Sequence, residues 1–427
     1  MRILHLGINY WPDETGIAPF ATGRCEYLAA RGHEVIACAG PPYYPQWRVP
    51  DKYRRRLFMR EQHQGVTVLR SWMYVPRRIT SLQRFFHESS FVCSSLLRAL
   101  TSSRPDLLFV TSPPLGLAAN AIALSRLWRV PCVLHVADLQ PDTAVDLGML
   151  PRGRLLRALY RLEAAAYSNA ALVSTLTEAM RRRIIAKGVP PAKVTLFSDW
   201  VDPELFSIAP PEAARRATPG SPFMVAHFGN MGIKQGLGVV LEAANLSRDG
   251  QGTDYLLVGD GAARCALEAC ARDFNLPNLR FLPLQPRERF LELLAQSDVC
   301  LVTQQRSVAD IVFPSKLITL LAAARPVVAS VGAGSEVARV ITESGAGVVV
   351  APEDPRALAD AVARIRADPE LAARMGHAGR AYALGRWERG SVLRSTEQKL
   401  IGVFNRSAAL AKVPAAVENA SRERSRP

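Results

Sequence analysis

Two consecutive doubly wound α/β halves are what this sequence predicts, and three observations carry the expectation. Apolar strand-like runs alternate with helical runs along nearly the whole chain, the alternation breaks in a proline-rich stretch and restarts, and each half opens on an apolar strand that ends in a glycine-containing loop. A chain of 427 residues has room for two domains with a core each. The expected division is an N-terminal domain over 1–200, a linker over 201–221 and a C-terminal domain over 222–386.

The first half begins with a strand over 2–9, a loop over 10–17 containing Gly16, a helix over 20–31 closed by Gly32, and a strand over 33–39. Such a loop lies at the carboxyl end of a parallel strand, where open sheets bind ligands, and Gly16 lets the backbone approach a ligand closely. The run Pro41-Pro42-Tyr43-Tyr44-Pro45-Gln46-Trp47 and the basic stretch to Arg60 read as a loop without regular structure. Its rings, near Arg54, Arg55 and Arg56, suit a sugar face or the headgroup layer of a bilayer; packing on their own domain is the other reading. Further strands are expected over 66–74, 106–111, 130–136, 171–174 and 194–197, and helices over 82–100, 154–167 and 177–188. His135, Asp138 and Asp142, around the end of the 130–136 strand, could face the same crevice as Gly16, while a lone histidine in an apolar strand is as readily a core residue.

The linker concentrates Pro203, Pro210, Pro211, Pro219 and Gly220. The pattern then restarts with a strand over 223–228, a loop over 229–236, a helix over 237–246, and strands over 255–258, 279–282, 298–303, 327–330 and 348–351 with helices between them. Within 313–330, Pro314 suits a first helical turn, Leu317, Leu320 and Leu321 make one apolar face, and Pro326 stops the helix before a β-branched strand. Free N–H groups, the positive end of the helix dipole, the Ser315 hydroxyl and the Lys316 ammonium converge there, the profile of a phosphate or diphosphate seat. A plain cap beside a solvated cation is the alternative. Lys234, between Gly232 and Gly236, is placed to reach the same anion. The sequence holds no Asp-x-Asp pair, no metal-ligand spacing, no G-x-S-x-G turn and no Walker loop, so lysines and a helix start would neutralise a leaving diphosphate without a metal.

Lys and Arg number 53 against 38 acidic residues, a net +15, with clusters at 52–56, Arg77-Arg78 and Arg181-Arg182-Arg183. That balance points to an anionic partner: a membrane surface, a lipid pyrophosphate or nucleic acid. Scattered clusters without a recognition module weigh against nucleic acid. The seven cysteines lack CxxC spacing and read as free thiols. No tract is long and apolar enough for a membrane-spanning helix, and the start runs into a strand without a signal-peptide core, so the chain is expected in the cytoplasm. Residues 413–427 are expected to be disordered.

In combination, Gly7-Ile8-Asn9-Tyr10 with Thr15-Gly16-Ile17, Gly32-His33-Glu34-Val35, the 41–47 run, Gly229-Asn230-Met231-Gly232 with Lys234-Gln235-Gly236-Leu237, Asp310, and Pro314-Ser315-Lys316-Leu317 carry a family likeness. The chain resembles the retaining family 4 glycosyltransferases of the GT-B architecture, and among them the colanic-acid and exopolysaccharide type. The resemblance implies two Rossmann-like domains facing across a cleft, with the helix 387–404 crossing back to the first domain. It implies sugar transfer, without a cofactor, from a UDP- or GDP-linked donor to a polyprenyl-diphosphate-linked oligosaccharide, by an enzyme peripheral to the anionic inner face of the plasma membrane. Carried over by position, Lys234 would hold the diphosphate and serve catalysis, Ser315 and Lys316 would bind phosphate, and Gly16, Asn230, Gly232, Asp310 and Thr319 would complete the donor site. Tyr43, Tyr44, Trp47 and Arg54 to Arg56 would face acceptor or membrane.

Two departures stand out. The family's paired glutamates match Ile311 and Thr319, leaving Asp310 or Thr319 as partial substitutes, and its histidine matches Ala137, leaving His135 and Asp138 as stand-ins. A sugar-nucleotide epimerase on the same architecture and a basic nucleic-acid-binding protein are the competing readings.

Overall fold

The computed structural model describes residues 1–14, 16–77, 80–146, 153–210, 222–248, 252–307 and 315–423. The chain divides into one unit of Met1–Ser198 with Leu393–Pro427 and a second of Asp199–Val392.

The first unit is built on an eight-stranded sheet: β1 (Arg2–Leu6), β2 (Glu34–Ala39), β3 (Phe58–His63), β4 (Val66–Ser71), β5 (Leu107–Ser112), β6 (Cys132–Val136), β7 (Leu172–Thr175) and β8 (Val194–Leu196). The spatial order is β3-β4-β2-β1-β5-β6-β7-β8, and only β3, antiparallel to β4, breaks the parallel run. Helices α1 (Ala18–Ala30), α2 (Ser81–Leu100), α3 (Leu117–Trp128), α4 (Gln140–Asp146), α5 (Arg154–Asn169) and α6 (Glu178–Ala186) belong to the same unit. Every residue of β5 and β6 is buried, which is why these strands read as unbroken apolar runs. The basic run to Arg60 is not the loop expected from its prolines. Its end forms β3, an edge strand whose residues alternate between exposed and half-buried, and polar edge residues of this kind hide a strand from periodicity. Helix α4 was also not legible beforehand.

The second unit carries six parallel strands: β9 (Phe223–Phe228), β10 (Thr253–Val258), β11 (Leu279–Leu282), β12 (Val299–Thr303), β13 (Val327–Ser330) and β14 (Gly347–Val350). Their order is β11-β10-β9-β12-β13-β14, so the direction of winding reverses between β9 and β12. Helices α7 (Gly238–Leu246), α8 (Arg264–Asp273), α9 (Arg287–Gln296), α10 (Ser315–Ala322), α11 (Glu336–Ser344), α12 (Pro355–Ala367) and α13 (Pro369–Trp387) complete it. Of the expected linker, residues 201–210 belong to this unit, with Val201 and Leu205 buried, and 211–221 lie outside the described residues.

Helix α10 is fastened from below. Leu317, Leu320 and Leu321 are buried, each worth about 1.5–3 kcal/mol of burial. Helix α13 comes close because its contact residues are glycines: a Cβ on Gly376 would lie 2.5 Å from the Ala324 carbonyl oxygen. The carbonyls at the end of α10 are taken up by arginines. Arg380 donates to Ala322 at 2.9 Å. Arg325, fully buried, donates to the carbonyls of Ala323 (2.9 Å), Ala295 (3.1 Å), Ser297 (2.9 Å) and Ala209.

The last helix, α14 (Arg389–Glu423), returns the chain to the first unit. Leu400 and Val403 pack with Ile3, Tyr10 and Leu28, and the Glu397 carboxylate accepts from Tyr27 (3.2 Å), Arg31 (3.3 Å) and His33 (3.1 Å). The helix extends to Glu423, into the stretch 413–427. Its alanine-rich composition satisfies helix propensity even where it offers little to a core.

Replacing Arg325 with alanine strands four carbonyls and should lower the unfolding free energy by about 3 kcal/mol in urea titration. A change below about 0.5 kcal/mol would show that the guanidinium does not hold this corner.

Candidate functional site

In the second unit, the loop after β9 and the helix after β12 emerge on either side of the point where the sheet reverses, the position at which open parallel sheets leave a crevice. Lys234 lies in the first of these, in a single 3-10 turn, Ile233–Gln235, closed by Gly236 in the left-handed conformation with φ of 57°. The Gln305 N–H donates to the Lys234 carbonyl at 2.9 Å, which ties the loop to the chain leaving β12. Lys316 lies on the second, in the first turn of α10, with Nζ 3.5 Å from Nδ1 of the buried His227 at the end of β9. Burial pulls the Lys316 ammonium down to about 7. Burial first and the Lys316 charge second hold His227 well below its ordinary range, so the ring is a neutral acceptor for the ammonium. Among the described residues neither Lys234 nor Lys316 has a carboxylate partner. Two lysines without carboxylate partners beside a switch point can take up an anion.

Tight backbone packing shapes the loop. Asn230 is exposed, Gly232 is half-buried, and Met231 binds the turn after β10 through its N–H to Asp260 at 2.8 Å. That turn demands glycine: a Cβ on Gly259 would fall 1.9 Å from the Gly229 carbonyl oxygen, and Gly261 has φ of 156°. Gly259, Gly261 and His227 were missed as site residues in the sequence, although Gly-Asp-Gly directly after an apolar strand was the available signal. Thr319 is half-buried one turn beyond Lys316. Asp310 and Ile311 lie outside the described residues, and of Ser315 only its place as the first residue of α10 is described.

In the first unit the sheet reverses between β1 and β5. Gly16, with φ of 67°, is exposed in the loop after β1, on the Tyr44 side: a Cβ there would stand 3.7 Å from the Tyr44 ring. Asp13, which sequence reading passed over, fastens the two loops together, accepting from the Tyr43 N–H at 3.2 Å and from Asn9 Nδ2 at 3.5 Å. Burial raises its carboxyl pKa, and these donors oppose the shift. Arg70 braces the same loops, donating to Gly40 at 2.9 Å and to the Trp11 carbonyl while paired with Glu61 at 2.9 Å.

Three expected site residues sit elsewhere than assigned. His135 belongs to the sheet interior: its Nδ1 is 3.0 Å from Ser174 Oγ, its ring stacks on Phe109 at 5.9 Å, and burial depresses its pKa. Tyr43 is buried and Trp47 packs edge-on against it at 5.3 Å, both against His87 of α2, so of the three rings only Tyr44 is exposed. Asp138 does lie at the end of β6, where Oδ1 accepts from Thr143 at 2.7 Å and secures the start of α4. Arg54, Arg55 and Arg56 are exposed, whereas Arg181 pairs with Glu178 at 2.8 Å.

Residues 15–200 match the Glycosyl transferase 4-like domain and residues 210–382 match Glycosyl transferases group 1. A colanic acid biosynthesis glycosyl transferase of Escherichia coli K12, WcaI, is 35% identical over 369 residues, covering 84% of this chain and 90% of that protein. The chain belongs to glycosyltransferase family 4. Its fold is GT-B, as in the sucrose-phosphate synthase of Thermosynechococcus elongatus (TM-score 0.72, 19% identity, 95% of this chain and 99% of that one). Anabaena HepE in complex with UDP shares it (TM-score 0.69, 18% identity, 94% and 100%). The transferase family gives no support to the epimerase reading. No described helix of this transferase is long and apolar enough to cross a membrane.

Because Lys316 is largely neutral above pH 7 in the free protein, a bound anion should restore its charge. UDP binding at pH 8 should take up a proton, and affinity should fall as pH rises from 7 towards 10. Calorimetry in buffers of different ionisation enthalpy reads the uptake; none at pH 8 would remove Lys316 from the anion's contacts.

Proposed function

We propose that this transferase moves a sugar from a nucleotide diphosphate donor, UDP- or GDP-linked, to a polyprenyl-diphosphate-linked oligosaccharide with retention of anomeric configuration. The observation that carries the reading is the pair of lysines, Lys234 and Lys316, at the β9–β12 reversal without carboxylate partners among the described residues. As the bond from the anomeric carbon to the diphosphate oxygen breaks, negative charge grows on the diphosphate. Lys234, Lys316 and the N–H groups at Ser315 stabilise that charge, an interaction stronger in the transition state than in the ground state. The acceptor hydroxyl attacks the anomeric carbon from the face the diphosphate leaves and passes its proton to the departing diphosphate oxygen, so the new glycosidic bond forms as the nucleoside diphosphate is released.

Asn230 and Gly232 shape the donor loop, and Asp310 and Thr319 complete the donor's surroundings. Asp138 is a positioning residue for the loop after β6. Charge neutralisation by lysines follows the absence of an Asp-x-Asp pair in the sequence, so the transferase needs no divalent ion. UDP bound in HepE supports a nucleotide donor, and the colanic acid role of WcaI supports a polysaccharide intermediate as the acceptor.

Lys234→Ala and Lys316→Ala should each lower kcat/KM for donor transfer by about 10²–10³-fold, with chelator leaving the wild type active. NMR of the product should show the donor's anomeric configuration. Near-normal turnover of Lys234→Ala removes its role, and an inverted product refutes retention.

A further inference from the structure

Helix α2 buries one long face and exposes apolar side chains on the other. Inward, His87, Phe91, Ser95 and Ala99 recur every four residues and are buried. Outward, Leu82, Phe86, Cys93, Leu97 and Leu100 are all exposed, with Phe85 beside them. A helix that only covered a sheet would carry polar groups there. Instead Leu82, Phe85 and Phe86 are 66, 58 and 54% exposed.

The outward stripe continues onto the sheet edge. Ser94 Oγ donates to the Trp72 carbonyl at 2.5 Å, Ser90 Oγ accepts from the Tyr74 N–H at 2.9 Å, and the Arg98 guanidinium lies 5.6 Å over the Phe58 ring. Trp72, Tyr74, Leu57 and Phe58 are exposed alongside α2. Contiguous exposed apolar surface on this scale marks an interaction site.

Charge selects the occupant. Residues 48–104 hold twelve lysines and arginines against three carboxylates, a net +9 of the chain's +15. All three carboxylates are engaged locally: Asp51 with Arg54, Glu61 with Lys52 and Arg70, Glu88 with Arg84. Arg55, Arg56, Arg60 and Arg77 have no carboxylate partner among the described residues. A second copy of this chain would bring the same positive charge to the contact, and nucleic acid would leave the Leu and Phe side chains in water.

We infer that the outer face of α2, with Trp72 and Phe58 beside it, seats in the interfacial layer of an anionic bilayer, its apolar side chains below the headgroups and its arginines against their phosphates. Trp and Tyr at the margin suit headgroup depth, and combined apolar and cationic contact is how surface helices bind anionic lipid. The inference rests on the membrane-linked acceptor proposed above and deepens it, naming an inserted surface where the sequence had offered only arginines and a proline-aromatic loop.

The test is cosedimentation of the full chain with vesicles of phosphatidylglycerol and phosphatidylcholine in equal parts, and with phosphatidylcholine alone. Wild type should bind the mixed vesicles. L82S/F85S/F86S should bind them at least about tenfold more weakly, with unchanged circular dichroism and UDP binding. Phe85→Ser alone should weaken binding measurably and serves if the triple variant does not fold. Trp72 emission should shift to the blue on mixing, a change W72F removes. Variant binding equal to wild type overturns the inference, as does a wild-type dimer that the variant converts to monomer. Transfer to a water-soluble acceptor, measured in parallel, separates the two readings: if it proceeds while vesicles fail to bind, the surface falls and the transferase reading stands.

Discussion

An ammonium held partly out of water without a counter-ion is costly, and the second unit is organised so that Lys316 bears that cost. Its helix cannot swing away, because three leucines are buried beneath it and Arg325 and Arg380 take up the carbonyls at its far end. His227 offers a neutral nitrogen rather than a balancing charge. What remains is a lysine with no carboxylate partner among the described residues, beside the place where the parallel sheet of this unit reverses and opens a crevice. Lys234 lies in the loop after β9, whose shape depends on glycines at 259 and 261 meeting backbone atoms where no side chain fits.

The first unit meets a different demand. Loops at the carboxyl end of its sheet carry polar backbone that must be satisfied without filling the crevice, and Asp13 and Arg70 do this from partly or fully buried positions. The proline-aromatic loop contributes rings inward to His87 and leaves Tyr44 outside, next to Gly16. The exposed apolar residues of this unit therefore gather on α2 and the edge beside it rather than on that loop.

Much of this was legible beforehand. Alternating apolar runs determined two parallel-sheet halves, since strands buried on both faces must be apolar throughout. The glycine loop with Lys234 and the Pro-Ser-Lys run could be located in the sequence, and the family entered through their resemblance, with other segments, to family 4. Edge strand β3 escaped because polar residues satisfy an edge.

Tertiary packing decided what local pattern could not. Whether His135 faces ligand or core depends on which side of β6 is covered by Phe109 and Phe197, and whether Tyr43 and Trp47 point outward depends on His87, more than forty positions away in one case and forty in the other. The lysines are similar: sequence named them, but only the strand order brings the elements that carry them to one reversal, because that order is set by pairing between residues far apart in the chain.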